Sequence, residues 1–270
     1  MNILSRTLRS LKDGTFPIKV LNRLSNTKYT VSPESSFTRH LGERFPSREW
    51  EKLSPLARHI WYDLSPLFAK NNIKNIVYVG AHDGRVALAM DEAFPNRHFF
   101  LIEPVPITFH RLEQGVSTCR HMICLNLAAG AKEEIVDMFV DEFSAASSIL
   151  QYEEIAIREL PFLHVKETVK VRVRPVDAIL RDAMADKIDL LIMDVQGYED
   201  EVLRGAAETL RSCKVVISEL SLQTLYVGSS TFDSVYQALV REGFTLQFLL
   251  NPLKGASETI LQIDGVFVRT

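Results

Sequence analysis

The sequence predicts a doubly wound α/β domain that runs from about residue 70 to the end of a 270-residue chain. Three observations predict it. Short runs such as Ile76-Val77-Tyr78-Val79 and Phe99-Phe100-Leu101-Ile102 are almost unbrokenly apolar, as strands buried on both faces of a parallel sheet are. Amphipathic stretches of helical period separate most of these runs. The two kinds of segment alternate, which is the pattern of a parallel sheet covered by helices.

The elements follow in order. Residues 1–28 hold Arg6, Arg9, Lys12, Lys19, Arg23 and Lys28 against a single acid, Asp13, a surplus of five positive charges. The whole chain carries −3, so the remainder carries −8. Leu4, Leu8 and Leu11 recur at helical spacing among the basic residues. That pattern leaves open a solvated helix, an organelle transit sequence or a peripheral contact with an anionic surface; no uninterrupted apolar core or small-residue cleavage site follows, which argues against a signal peptide. Residues 29–49 are rich in turn formers and read as a connector. Trp50, Leu53, Leu56, Ile60, Leu64 and Leu67 then form one apolar stripe. Ser54-Pro55 and Ser65-Pro66 each offer an N-cap before a proline in the first turn, so the stretch reads as two short helices or one kinked helix. Residues 1–70 are thus an N-terminal basic and helical extension, and 71–270 the α/β domain.

Strands are expected at Asn75–Val79, His98–Ile102, Met122–Leu125, Asp189–Met193, Lys214–Ser218, Thr245–Leu249 and Gly265–Arg269. Helices are expected at Gly84–Phe94, Ile107–Gly115, Tyr198–Arg211 and Phe232–Glu242. Residues 131–186 are too many for one crossover helix. Within them Val169-Lys170-Val171-Arg172-Val173-Arg174 alternates and reads as a strand with one basic, solvated face. The insertion either shapes a substrate pocket or is an extra hairpin.

Composition narrows the function. The chain is 46% hydrophobic and 24% charged, ordinary for a globular protein, and no apolar run reaches a membrane span. A net charge of −3 argues against a general nucleic-acid binder. Cys119, Cys124 and Cys213 form no CxxC pair and are odd in number, which points to a reducing, cytoplasmic compartment without a structural zinc site. Oligomeric state stays open.

The chemistry-bearing motifs lie at strand ends. The first strand runs into Gly80-Ala81-His82-Asp83-Gly84, a turn that brings backbone N–H groups close to a ligand. Its spacing is not that of the dinucleotide GxGxxG. The second strand ends at Glu103, where one carboxylate can accept from both ribose hydroxyls; its separation from the Gly turn favours a nucleoside site over a helix cap or a surface carboxylate. Asp194 follows the fourth strand and Glu219 the fifth, so three carboxylates are expected at the ends of three adjacent strands, suited to metal binding or acid/base work.

From about Ile73 to Arg269 the chain resembles the FkbM family of S-adenosylmethionine-dependent methyltransferases. The likeness rests on YVGAHDG (78–84), IEPVP (102–106), NLAAG (126–130), VDAIL (176–180) and IMDVQGYEDEVLRGA (192–206), with Ser147-Ser148 similar to the family's serine pair. The resemblance implies a Rossmann-like class I methyltransferase fold with a mostly parallel seven-stranded sheet. It implies S-adenosylmethionine as cofactor and O-methyl transfer to a hydroxyl of a sugar, glycan or natural product. Gly80, Ala81, His82 and Gly84 would surround the methionyl part, Glu103 and Pro104 the ribose, and Asn126 and Ala128 the adenine, with Asp194 beside the cofactor. Asp194 is the first candidate base, followed by His82 and Glu219. Asn126 could instead close a turn, and Asp177 could simply cap a helix. Tyr78, His82 and Gln196 depart from the family's acid, asparagine and glutamate. Gln196 leaves Asp194 without a carboxylate companion, which argues against a metal held by both. A non-catalytic relative of the fold and a nicotinamide-dependent oxidoreductase are the alternatives.

Overall fold

The computed structural model describes residues 53–185 and 187–270; the basic segment 1–28, the connector 29–49 and Trp50 lie outside the described residues. Helix α1 (Pro55–Asn71) starts where Ser54 caps it, the serine Oγ accepting from the Ala57 N–H at 3.3 Å, and ends at Asn72 in the left-handed conformation. Ser65-Pro66 does not start a second helix. Pro66 sits inside α1, because the apolar stripe continues through it to Leu67 and Phe68 and is held on helix α2 (Arg85–Ala93). Phe68 stacks on Phe94 with ring centroids 3.9 Å apart.

The remaining elements are β1 (Asn75–Val79), β2 (His98–Ile102), α3 (Pro106–Gly115), β3 (Met122–Leu125), β4 (Ala128–Ala129), β5 (Glu134–Asp141), α4 (Glu154–Glu159) and β6 (Val165–Arg174). They continue with α5 (Val176–Asp182), β7 (Leu190–Met193), α6 (Glu199–Arg204), α7 (Ala207–Ser212), β8 (Val215–Ser221), α8 (Phe232–Arg241), β9 (Phe244–Lys254) and β10 (Ile260–Arg269). Seven strands form one sheet in the order β3-β2-β1-β7-β8-β10-β9. All pairs are parallel except those of β10, which runs against both β8 and β9. This is the Rossmann-like class I methyltransferase arrangement.

Alternate residues of the central strands enter two different cores. Ile76, Tyr78, Phe99, Leu101, Leu190 and Ile192 face α1 and α2, whereas Val77, Val79, Phe100, Ile102, Leu191 and Met193 face α5 to α8. Burial on both faces is why these strands read as continuous apolar runs. The strand order reverses between β1 and β7, and open α/β sheets bind ligands at the carboxyl ends of strands at such a point.

Several boundaries differ from the sequence expectation. The helix expected over Tyr198–Arg211 is broken into α6 and α7. Gly205 lies at the break against the backbone of Gly130, where a Cβ would sit 2.0 Å from the Gly130 carbonyl oxygen. Asp177 caps α7 rather than its own helix, accepting from the N–H groups of Glu208 and Thr209 at 2.8 Å each. Strands β9 and β10 are about twice their expected length, because they pair with each other in an antiparallel ladder reaching Lys254 and Ile260. The insertion is more than a hairpin. β5 pairs with β6, β4 adds a third strand on the other edge of β6, and the segment between β5 and β6 turns back so that Ser148 bridges Phe139 of β5. Val171 and Val173 are buried while Lys170 and Arg172 are exposed and ion-paired to Asp137 and Glu133.

Candidate active site

A concave pocket of about 610 Å³, open mouth included, lies at the switch point. Its floor is the turn after β1 (Val79, Gly80, His82), and its walls are the ends of β2 (Ile102, Glu103, Pro104) and of β7 (Asp194, Val195, Gln196). Leu127, Ala128, Ala129, Met138 and Ile149 make one side apolar, and Ser144, Ala145 and Ser147 of the insertion close over it. The turn depends on Gly80. Its φ of +83° is left-handed, and a Cβ there would lie 1.8 Å from the carbonyl oxygen of Asp194.

Glu103 is 5% exposed and lines the pocket. Its Oε2 accepts from the His82 N–H at 3.0 Å and its Oε1 from the Val105 N–H at 2.9 Å, so the carboxylate holds the β1 and β2 turns together. Burial raises its pKa to about 7, against the lowering effect of those two donors. The Asn126 amide donates to the carbonyl oxygens of Glu103 and Pro104 at 2.9 and 3.1 Å and closes the turn beyond β2; its side chain is not part of the pocket lining. Ala81 and Gly84 also lie outside the lining: Ala81 is buried in the core and Gly84 starts α2 with φ +80°.

His82 lines the pocket and is engaged on both ring nitrogens, with Nε2 2.8 Å from Ser144 Oγ and Nδ1 3.5 Å from Asp83 Oδ1. It therefore ties the turn after β1 to the insertion. Asp194 lines the pocket and is exposed to it. Its Oδ1 accepts from Gln196 Nε2 at 2.7 Å, and its Oδ2 has no hydrogen-bond partner among the described residues. Desolvation raises its pKa, and the Gln196 hydrogen bond and His82 pull it back down.

Glu219 is placed differently from the sequence expectation. It lies inside β8, since β10 pairs with that strand as far as Ser221, and it sits behind the pocket. Nor are the three carboxylates on adjacent strands, because β1 lies between β2 and β7. Glu219 Oε2 accepts from Gln196 at 3.1 Å and from Gln262 at 2.7 Å. Burial, then Asp194, Glu199 and Asp264, push it well above the usual carboxylate range. Asp264, directly opposite Glu219 on β10, and Glu199, 2% exposed, are each raised to about 7, chiefly by burial. Among the described residues no group of three or more His, Cys, Asp or Glu side chains is arranged to hold a metal ion.

Sequence reasoning missed Tyr226, whose hydroxyl donates to Gln196 Oε1 at 2.7 Å, as well as Ser144 and Asp264. None stands in a motif. The serine pair is present where the resemblance put it: Ser147 lines the pocket, and Ser148 Oγ donates to the Gln196 carbonyl oxygen at 2.8 Å. Tyr78 is buried in the core beneath the site, not in the lining.

The family model described as the methyltransferase FkbM domain matches residues 79–246, from the end of β1 into β9. The chain belongs to the FkbM methyltransferase family. Like its family, this FkbM protein is an S-adenosylmethionine-dependent methyltransferase. It is 26% identical over 180 residues to the 2-O-methyltransferase NoeI of Sinorhizobium fredii, a match covering 64% of this chain and 74% of that one. Two solved structures are similar at lower identity. Fibrillarin of Aeropyrum pernix with natively bound S-adenosyl-L-methionine has a TM-score of 0.44 at 13% identity, covering 72% of this chain and 66% of that chain. The N-methyltransferase NodS of Bradyrhizobium japonicum also has a TM-score of 0.44 at 13% identity, covering 80% and 97%.

Proposed function

We propose that the acceptor is a hydroxyl of a sugar, glycan or sugar-like natural product, and that Asp194 is the base that takes its proton. The observation that carries this reading is the half-tied Asp194 carboxylate, with Oδ1 held by Gln196 and Oδ2 left without a partner beside the pocket. The name of the S. fredii relative supports a ring-hydroxyl acceptor.

The residues present fit the cofactor. The apolar wall of Leu127, Ala128 and Met138 suits an adenine ring. A carboxylate has about four lone-pair sites, and Glu103 has spent two on backbone N–H groups, which leaves two for the ribose hydroxyls. Gly80 and His82 would flank the methionyl part.

Held by Gly80, His82 and Glu103, S-adenosylmethionine would supply an electrophilic methyl group to the acceptor oxygen, the electron pair of the carbon–sulfur bond staying with sulfur. Orientation by the pocket walls provides most of the help such an in-line displacement needs. Asp194 Oδ2 receives the hydroxyl proton, and a base so placed contributes about 10²–10⁴-fold. Desolvation strengthens that basicity. His82 is occupied with Ser144, so its part is to hold the insertion closed over the pocket. The three cysteines of the chain are free, which supports a reducing, cytoplasmic setting, and no helix among the described residues is long and apolar enough to cross a membrane.

The test is an incubation with S-adenosylmethionine and methyl glycosides of hexoses, deoxyhexoses and N-acetylhexosamines, read by intact mass and by the position of any methyl group gained. Calorimetry with S-adenosylmethionine, its demethylated product and NAD runs beside it. Cofactor binding with no methylated glycoside would sink the sugar reading, and binding of NAD alone would sink the cofactor assignment. In the active pair, Asp194→Asn should lower kcat by about 100-fold or more, with cofactor affinity kept within about threefold.

A further inference from the structure

We infer that Gln196 is a positioning residue for methyl transfer: its amide fixes the Asp194 carboxylate through Oδ1 and stands between that carboxylate and Glu219. The inference rests on the reading of Asp194 as the base. Both polar atoms of the Gln196 side chain are engaged, and both N–H hydrogens are in use. One Nε2 hydrogen goes to Asp194 Oδ1 at 2.7 Å, the other to Glu219 Oε2 at 3.1 Å, and Oε1 accepts from Tyr226 at 2.7 Å. The two acids set which end of the amide faces them, because an amide turned the other way would point its oxygen at both carboxylates; the Tyr226 hydroxyl, which also lies 3.2 Å from the Ala146 carbonyl oxygen, then donates to Oε1.

The backbone is committed to the same arrangement. Gln196 has φ +55°, a conformation that side chains other than glycine, asparagine and aspartate rarely take, and its carbonyl oxygen is held by Ser148 Oγ at 2.8 Å. Strain beside a pocket and a side chain engaged at both polar atoms place this residue among the parts that shape the site. The surroundings explain why an amide suits the position. The charge of Asp194 raises Glu219 and Asp264 of the sheet, Glu199 of α6, Glu103 just beyond β2, Tyr78 and Tyr226, and His82 is the cation-forming group that favours the ionised form of Asp194. A third carboxylate between Asp194 and Glu219 would add to that repulsion and remove a donor. A neutral amide separates the two acids and donates to both.

Gln196→Glu, Gln196→Ala and Tyr226→Phe test this, with Asp194→Asn as control, on the panel glycoside that turns over fastest. Gln196→Glu should move the acid limb of kcat up by about one to two pH, the loss of one hydrogen bond to a charged group. Gln196→Ala should lower kcat by about 10- to 100-fold with the S-adenosylmethionine Kd within about threefold, and Tyr226→Phe should fall between it and the wild type. A measurement without turnover runs in parallel. A buried acid with raised pKa binds protons more tightly folded than unfolded, so Gln196→Glu should make Tm fall more steeply than in the wild type as pH rises from about 5 to 8. Folded variants with the wild-type acid limb, kcat and Tm slope would overturn the inference, as would kcat, cofactor affinity and Tm all falling together. Full kcat in Asp194→Asn overturns the base reading itself, and the inference with it. A drop there beside unchanged Gln196 variants overturns only the inference.

Discussion

Glu103→Gln changes one atom in the wall of the pocket, and its effect can be worked from the contacts. The carboxylate spends one lone pair of Oε2 on the His82 N–H and one of Oε1 on the Val105 N–H, which leaves one acceptor site on each oxygen for the two ribose hydroxyls. An amide offers a single oxygen. Its NH₂ must face one of the two backbone donors, leaving a buried N–H without a partner, at about 1–3 kcal/mol of stability. For the cofactor, one charge-assisted bond is lost and the other becomes neutral. At about 1.5–3 kcal/mol for a bond to a charged group, affinity should fall by about 2–4 kcal/mol, or roughly 30- to 1,000-fold. Calorimetry with S-adenosylmethionine and its demethylated product at pH 8, beside a thermal melt, measures both effects. The wild type carries a pH signature too. Glu103 is held up to about 7 in the free protein, and ribose hydroxyls donate to its ionised form. Cofactor affinity should therefore fall as pH drops below about 7, and binding near pH 6.5 should release a proton, seen as a dependence of the binding heat on buffer ionisation. A Kd within threefold of wild type while Tm falls would refute the ribose assignment and leave Glu103 only a tie between two turns.

Three further perturbations separate fold from site. Gly205→Ala puts a Cβ 2.0 Å from the Gly130 carbonyl oxygen, backbone against backbone, and should destabilise by about 3 kcal/mol or more in urea unfolding. Asp177→Ala removes the cap on α7, where the Glu208 and Thr209 N–H groups and the Thr209 hydroxyl all donate to one carboxylate, and should lower stability by about 1–2 kcal/mol with cofactor affinity unchanged. Removing residues 1–28 should leave the S-adenosylmethionine Kd within about threefold, since the basic segment stands apart from the motifs; loss of binding would show that division of the chain to be wrong.

What could be read in the sequence follows the range of the interactions involved. The central strands announce themselves because burial on both faces demands unbroken apolar runs such as Ile76–Val79, a purely local signature. Gly80 and Glu103 were legible for a related reason: a left-handed turn and a carboxylate at a strand end are constraints carried by single residues at fixed offsets. Glu219 was placed one layer off because the length of β8 is set by β10, more than forty residues later, and no pattern within Val215–Glu219 reports that partner. Tyr226 lies thirty residues beyond Gln196 and meets it in a segment that also bridges Tyr152 of the insertion. Gln196 shows where the two kinds of information diverge. Set beside the family pattern, it is a lost carboxylate and Asp194 has no companion. In the folded protein the same side chain contacts both acids and a tyrosine, so the companion of Asp194 is the amide itself. A departure from a motif therefore does not by itself mark a lost function. Its meaning depends on the hydrogen-bonding capacity of the new residue and on the partners that capacity meets, and those partners come from strands that only the fold brings together.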